Sequence, residues 1–229
     1  MKNIIFTDTL TNNKVIDAPK PASSFIPEWY KKIESYINGK KMPTDYANNV
    51  TVKKCIPVFD AITSGYIITS PCDVYVEQKE GVPFYRWSNF DAITFHPIVQ
   101  TIGHPASKDG LDSPKFTNPW SIKTPTGYSV LVVSPMHHDL PFAILPGVVD
   151  TDTYNSPINF PFKLLDPKWE GLIPVGTPIA QIIPFKRESW SMKLGGEEEI
   201  NTARYVSLKA HTKFFNNYKS FWWHKKEYK

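Results

Sequence analysis

The chain has 229 residues, 41% of them hydrophobic and 21% charged, which gives enough apolar surface for a packed core and argues against disorder. A net charge of +4 with a pI of about 8.8 admits an anionic ligand but does not mark a DNA-binding protein. The 21 prolines exclude a mainly helical fold, because interior proline breaks helices, and they suit short strands with long connections.

Two cysteines, Cys55 and Cys72, form no CxxC pair and have no histidine at zinc spacing. They read as free thiols in a reducing compartment, and no metal site is expected. No stretch reaches the ~20 apolar residues needed to span a bilayer. The apolar run in Met1-Lys2-Asn3-Ile4-Ile5-Phe6 is too short for a signal peptide. A soluble, cytoplasmic protein is expected (in the host cytoplasm if the chain is viral), with no membrane partner and no nucleic acid.

The chain opens with a strand-like run, Ile4-Ile5-Phe6, and a polar turn, Thr11-Asn12-Asn13-Lys14. From Pro21 to Ile37 the spacing of Ile26, Trp29 or Tyr30, Ile33, and Tyr36 or Ile37 predicts an amphipathic helix, with Ser23 or Ser24 as cap and Pro27 in the first turn. Its aromatic stripe reads as a docking face rather than a ligand site. Residues 38–50 read as a polar loop. From Thr51 the period shifts towards strand, through Ile62 and on into Gly65-Tyr66-Ile67-Ile68-Thr69. Asp73 to Glu77 alternates strictly, and a turn at Glu80-Gly81 leads to Phe84-Tyr85-Arg86-Trp87.

Residues 100–119 read as a long loop, with His96 and His104 at its edges in a spacing that is not a metal motif. Trp120 to Thr124, the turn Pro125-Thr126-Gly127, and Tyr128 to Ser134 predict a hairpin. Met136-His137-His138-Asp139 is a polar tip that could bind a metal or serve as an exposed turn. Residues 187–202, with Gly195-Gly196 and Glu197 to Glu199, read as a loop. The run from Phe214 to Trp223 reads as an aromatic arm that packs on the domain or on a neighbouring subunit. Lys213, Lys219, Lys225, Lys226 and Lys229 make that end basic, as a solvated tail would be.

The most informative stretch is Pro146-Gly147-Val148-Val149-Asp150-Thr151-Asp152-Thr153-Tyr154. Its Pro-Gly pair marks a turn whose glycine lets the backbone approach a ligand. If the segment stays extended, Asp150, Asp152 and Tyr154 face one side and could floor a polar pocket. The same residues also suit ordinary turn chemistry, since Asp and Thr side chains bond to local backbone. An echo follows in Ile173-Pro174-Val175-Gly176-Thr177-Pro178-Ile179-Ala180-Gln181-Ile182-Ile183-Pro184.

Gly147 to Tyr154 resembles the third motif of the dUTPase and dCTP deaminase superfamily, and Gly176 to Ile183 resembles its next. Thr124 to Ser134 looks like the strand before the second motif, and Ser64-Gly65-Tyr66 is similar to the first. The resemblance spans roughly residues 60–186. The whole chain, with Phe25-Ile26-Pro27-Glu28-Trp29-Tyr30, also resembles an uncharacterised family of phage and bacterial proteins.

The superfamily resemblance implies a mainly β fold, a dUTPase-like β-clip or distorted jelly roll. The amphipathic helix and the aromatic C-terminal arm flank it, giving 1–50 as arm and helix, 51–186 as β core and 187–229 as loop and arm, in one globular unit. It also implies a homo-oligomer, a trimer by preference. The implied ligand residues are Asp150, Asp152, Tyr154, Gly147, Gln181 and Tyr128, with Arg187 or Arg204 supplying a cation. Asp150 would orient a water and Tyr154 would pack on a sugar.

The sequence departs from that pattern at three places. Ile67 stands where a metal-binding Asp is expected, Ser134-Pro135-Met136-His137 replaces the phosphate-gripping Arg-Ser-Ser, and only Gly195-Gly196 lies near the place of the C-terminal motif. The expected function is therefore a divergent, non-catalytic binder of a nucleotide or nucleotide-like ligand, of the kind a phage would use to sequester a host signalling nucleotide. No cofactor is expected, with Mg only if a nucleotide is turned over. The alternatives are a nucleoside triphosphate pyrophosphatase with Asp150 as base, and a phage structural or assembly protein using the fold as a scaffold.

Overall fold

A computed structural model describes residues 2–10, 16–39, 49–88, 91–107, 110–212 and 217–229. The turn read at 11–14, most of the polar loop at 38–50, and 214–216 of the aromatic run lie outside the described residues. The elements in chain order are β1 (Ile5–Asp8), β2 (Lys20–Pro21), α1 (Glu28–Lys32), α2 (Ile56–Thr63), β3 (Tyr66–Thr69), β4 (Val74–Lys79) and β5 (Val82–Trp87). Next come β6 (Ile93–His96), α3 (Ile98–Thr101), β7 (Ser113–Phe116), β8 (Trp120–Lys123), β9 (Tyr128–Val133), β10 (Phe142–Ile144) and β11 (Gly147–Val149). The chain ends with β12 (Phe160–Leu164), β13 (Gly171–Ile173), β14 (Pro178–Lys186), α4 (Glu197–Thr212) and α5 (Asn217–Phe221).

The architecture is mainly β, as the resemblance implies, and its pairings are antiparallel. The largest sheet runs β11-β9-β14-β3-β2; the others run β10-β12-β7-β6, β13-β4-β5 and β1-β8. Strand β4 shows the expected alternation, with Val74 and Val76 buried and Tyr75 exposed between them. Glu80 and Gly81 both have positive φ, 51° and 80°, which is the turn twist that lets β4 fold directly onto β5.

The core lies between the sheets. Ile68, Val130, Val132, Ile179 and Ile182 come from the largest one, and Phe116, Phe142, Phe160 and Phe162 from its neighbour. Phe116 stacks on Phe162 with ring centroids 4.2 Å apart, and Phe142 meets Phe116 edge-on at 5.0 Å. Such packed rings contribute beyond the area they bury.

Several sequence expectations need correcting. The helix read from Pro21 to Ile37 is a 3-10 turn at Ala22–Phe25 followed by one short helix, α1. The chain leaves the helix at Ile33 because the backbone beyond it pairs with residues 49–51. Thr51 N–H donates to Ser35 O at 3.2 Å and Ile37 N–H to Asn49 O at 2.8 Å, a tertiary pairing that overrides helical spacing. The aromatic stripe does dock: Tyr30 is buried against Phe59, and the Trp29 indole donates to His137 O at 2.8 Å.

The strand-like stretch at 51–62 is helical instead. Thr51 Oγ1 accepts the Lys53 N–H and starts a 3-10 turn, and α2 follows with Pro57 in its first turn, where a missing N–H costs nothing. The residues on either side of Pro125-Thr126-Gly127 do not form a hairpin. β8 pairs with β1, whereas β9 pairs with β11 and β14, so the turn passes the chain between sheets. The loop at 100–119 contains the end of α3, a 3-10 turn and β7. The loop read at 187–202 gives way to the 16-residue helix α4 from Glu197.

The C-terminal residues pack on the body of the molecule. The Trp223 indole donates to both Asp60 carboxylate oxygens at 3.0 Å. Lys226 donates to the same carboxylate at 2.5 Å, and Tyr228 meets Tyr66 edge-on at 5.9 Å.

Gly65 joins α2 to β3 at φ 73°, and a Cβ there would stand 2.1 Å from Ile182 O. Both the left-handed backbone and the close approach of β14 require glycine. Gly65→Ala is expected to cost at least about 2 kcal/mol, read as a fall in the urea midpoint; an unchanged midpoint would mean that β14 moves aside without cost.

Candidate functional site

The site grows from three strand ends. β11 pairs with β9, setting Val149 opposite Val130, and then stops. The chain turns at once: Thr153 and Tyr154 donate their N–H groups to Asp150 O at 3.2 and 2.9 Å. The extended run that would put Asp150, Asp152 and Tyr154 on one side is therefore absent, and residues 150–153 form a turn. Thr151 anchors it from inside, fully buried, with its hydroxyl 2.8 Å from that of Thr124.

The two carboxylates converge all the same, because Arg187 reaches both. β14 runs beside β9 until Lys186 lies opposite Tyr128. That brings Arg187 N–H to within 2.8 Å of Gly127 O, at the tip of the Pro125–Gly127 turn, where Gly127 sits at φ 81°. The guanidinium donates through Nη1 to Asp152 Oδ1 at 2.8 Å and through Nη2 to Asp152 Oδ2, a two-pronged pair. Gly127 N–H completes the cradle, donating to Asp152 Oδ2 at 2.8 Å.

Asp150 is held differently. Ser129 Oγ donates to its Oδ1 at 2.6 Å, and Arg187 Nη1 stands 3.1 Å from the same oxygen. The Asp152 side chain is only 4% exposed, whereas that of Asp150 is 59% exposed. Asp152 is thus a structural anion, and Asp150 presents a free carboxylate edge to solvent.

The electrostatics follow from these contacts. The Arg187 hydrogen bond, and then the Gly127 N–H, hold the Asp152 carboxyl down at about 2. The Ser129 hydroxyl, and then Arg187, keep Asp150 below the usual carboxylate range. Asp152 in turn raises Arg187, which stays charged.

The other nominated residues divide. The Tyr128 ring carries the Lys2 ammonium 4.1 Å from its centroid, and Lys2 also donates to the Tyr128 hydroxyl. The Tyr154 ring ends the turn and is 54% exposed. Gly147 lies in β11 without a positive φ, and its missing side chain faces open space.

Gln181 is fully buried. Its Oε1 accepts Met136 N–H at 2.8 Å, and its Nε2 donates to Ala61 O at 2.9 Å and Ser64 O at 2.6 Å. Of the two candidate arginines, Arg187 joins the carboxylates, while Arg204 lies on the exposed helix α4. Ser129 and Lys2 are partners that the sequence reading did not nominate. A serine facing the same way as a strand-end carboxylate on a paired strand was the available signal for Ser129; Lys2 gave none.

Residues at the departure positions serve the interior. Ile67, where the resemblance places a metal-binding Asp, is 1% exposed in the core. Ser134 Oγ accepts Ile144 N–H at 2.8 Å. At the His137-His138 tip, burial and then the neighbouring His137 push the His138 imidazole down, so it is neutral near pH 7. Among the described residues no group of three or more His, Cys, Asp or Glu side chains is placed to hold a metal ion. An apolar cavity of about 810 Å³, walled by Tyr85, Phe95, Phe162 and Leu164, lies elsewhere and includes none of the nominated residues.

No family model and no curated protein matches the chain. Among solved structures it is similar to phage dUTPases. A point variant of the Staphylococcus bacteriophage 80alpha dUTPase with dUpNHpp matches at 12% identity and a TM-score of 0.36, over 86% of this chain and 90% of that one. Another structure of the Staphylococcus bacteriophage 80alpha dUTPase matches at 12% and 0.36, over 85% and 97%. A variant dUTPase from phage phi11 of S. aureus, described with a structural Mg(II) ion, matches at 12% and 0.35, over 86% and 99%.

Two outcomes are expected at the site. Asp152 titrates lower in the folded chain, at about 2, than in the unfolded chain, at about 3.9. Its stabilisation is therefore present above about pH 4 and is lost as pH falls through about 2. Melting temperatures from pH 2 to 6 should show that acid limb in the native chain and a flatter limb in Asp152→Asn; identical limbs would assign the acid loss elsewhere. Gln181→Ala removes the partner of three part-buried backbone groups and leaves a cavity, and should lower stability by about 2–5 kcal/mol in urea titration.

Proposed function

We propose that the chain binds a nucleotide or nucleotide-like ligand at the Asp150 edge of this cluster and does not turn it over. The observation that carries the reading is the contrast between the two carboxylates. Asp152 is spent on Arg187 and Gly127, whereas Asp150 is fixed by Ser129 and keeps an exposed edge.

A carboxylate held in one orientation can accept hydrogen bonds from a base amide or a sugar hydroxyl without reorganising. Tyr154 and Tyr128 offer apolar faces, and Lys2 offers a cation for a phosphate. Gln181 supports the site from beneath by holding β14 in place rather than by touching ligand. Binding is favoured over hydrolysis because Asp150 is a poor proton acceptor. A general base works best with its pKa near the operating pH, and the contacts here push this one the other way.

The test is thermal stabilisation against nucleoside triphosphates, monophosphates and cyclic oligonucleotides, with and without Mg²⁺. A ligand at a hundred times its Kd adds about 2.7 kcal/mol, a readily seen shift. Asp150→Ala should abolish the shift while keeping the circular dichroism of the native chain, since the turn is closed by Asp150 backbone rather than side chain. A flat panel would overturn the reading in favour of a scaffold, and product formation would overturn its non-catalytic part.

A further inference from the structure

The apolar cavity of about 810 Å³ lies where two sheets meet, away from the Asp150 cluster. One wall comes from β5 of the three-stranded sheet, the other from β6, β7 and β12 of the four-stranded sheet. Tyr85, Phe162 and Leu164 are its buried floor. Val82, Phe95 and Leu165 form a rim and are 41%, 44% and 62% exposed. The Tyr85 ring meets Phe162 edge-on at 5.8 Å and Phe95 at 6.1 Å. Protein interiors hold few voids larger than a water molecule, whereas this space has the volume of about twenty-five waters. Water gains little against such walls, and a flat apolar ring gains both burial and ring contacts.

The polar groups around the cavity narrow the ligand further. Two charged residues line it, Asp112 and Lys163. Lys163 sits on β12 between Phe162 and Leu164, which turn inward, so its side chain takes the opposite face. Asp112 is exposed, and its Oδ1 accepts Ile98 N–H at 2.8 Å, which fixes the carboxylate just before β7. The buried Ser113 hydroxyl is turned to that of Ser107, 3.2 Å away. The cavity thus offers ring faces and one oriented carboxylate. Aromatic faces are negative and attract cations, so both features favour a positively charged group over an anion.

A polypeptide strand suits the place less well. β5 is the open edge of its sheet. Gln78 N–H donates to Glu170 Oε1 rather than to its cross-strand partner Pro83. That pair is therefore a non-hydrogen-bonded one, and the proline nitrogen, which carries no proton, faces the open edge.

We propose that this cavity binds a small aromatic amine, its ring against Tyr85 and Phe95 and its ammonium group at Asp112. The site is separate from Asp150 and does not depend on a nucleotide binding there.

Fluorescence titration of the full chain with N-phenyl-1-naphthylamine, a neutral ring dye, tests it, with tryptamine and indole-3-acetate as competitors. A single saturable site on the folded chain is expected. Phe95→Ala and Leu165→Ala should each raise the dye's dissociation constant about fivefold to tenfold. Both are rim residues, so circular dichroism should match that of the native chain. Trp190→Lys should leave dye binding unchanged, which separates the cavity from the exposed apolar segment after β14. Tryptamine should displace the dye at about one-tenth of the concentration that indole-3-acetate needs. Asp112→Asn keeps the oxygen that accepts Ile98 N–H but loses the charge, and should bring the two competitors within about twofold of each other. Dye binding that does not saturate below roughly 1 mM, or that is lost in Trp190→Lys and kept in both rim variants, would overturn the proposal. So would indole-3-acetate competing as well as tryptamine, or a preference for tryptamine that survives Asp112→Asn.

Discussion

The buried amide of Gln181 is the constraint on which the sheet's geometry rests. A fully buried amide must find its partners inside the protein or cost several kilocalories per mole. Here they are Met136 N–H, Ala61 O and Ser64 O. Those groups belong to the tip after β9 and to the end of α2, so one side chain fixes three pieces of backbone around β14. β14 itself pairs on both edges, with β9 and with β3. Gly65 closes the same junction from the other side, its backbone pressed against Ile182 O where no side chain fits. The helix end, the two flanking strands and the tip are thereby placed before any surface residue is considered.

The acidic cluster is a consequence of that placement. With β14 in register with β9, Arg187 emerges beside the Gly127 turn and opposite the end of β11. Two ionised carboxylates beside one guanidinium leave one negative charge in excess, which would be shared if the two acids were equivalent. They are not, because Gly127 N–H and both guanidinium nitrogens go to the shielded Asp152, while Asp150 shares one nitrogen and leans on Ser129. The local field thus keeps both acids ionised while leaving just one of them approachable.

What was legible in the sequence was whatever strand period or turn chemistry alone decides. Val74 to Glu77 alternates, Glu80-Gly81 turns and Pro125-Thr126-Gly127 turns, and the structure has each. Asp150 and Asp152 could be singled out because two acids two residues apart after a strand end are visible locally, and Arg187 could be guessed because it follows an apolar strand.

Two of the misses share one cause, which is that distant backbone decides. The chain leaves its helix at Ile33 because Ser35 and Ile37 bond to Thr51 and Asn49, sixteen and twelve residues further along. β8 and β9 look like a hairpin, yet they are claimed by β1 and β14, and no local signal announces a partner that far away. The stretch at 51–62 carries β-branched residues that suit a strand, but Thr51 and Pro57 start helical turns there. The role of Gln181 was misread for a related reason: a glutamine within an apolar run can face a ligand or face the core, and only the groups across from it decide.

The two ends of β14 show how the molecule divides its charge. Inside the sheet, Gln181 is neutral and every donor and acceptor of its amide is met within the fold. From Lys186 onward the strand leaves the core, and the charged groups pair with one another or with solvent. Arg187 is the boundary residue, its backbone still tied to Gly127 and its side chain already at the surface. Beyond it the rule changes again. Trp190, Met192 and Leu194 carry apolar bulk that the core does not bury, and α4 carries charges sorted by end rather than mixed along its length. The glutamates in the first turn of α4 and the basic residues further along suit the helix dipole, whose N-terminal end is positive, whereas the three large apolar side chains before it are left near full exposure.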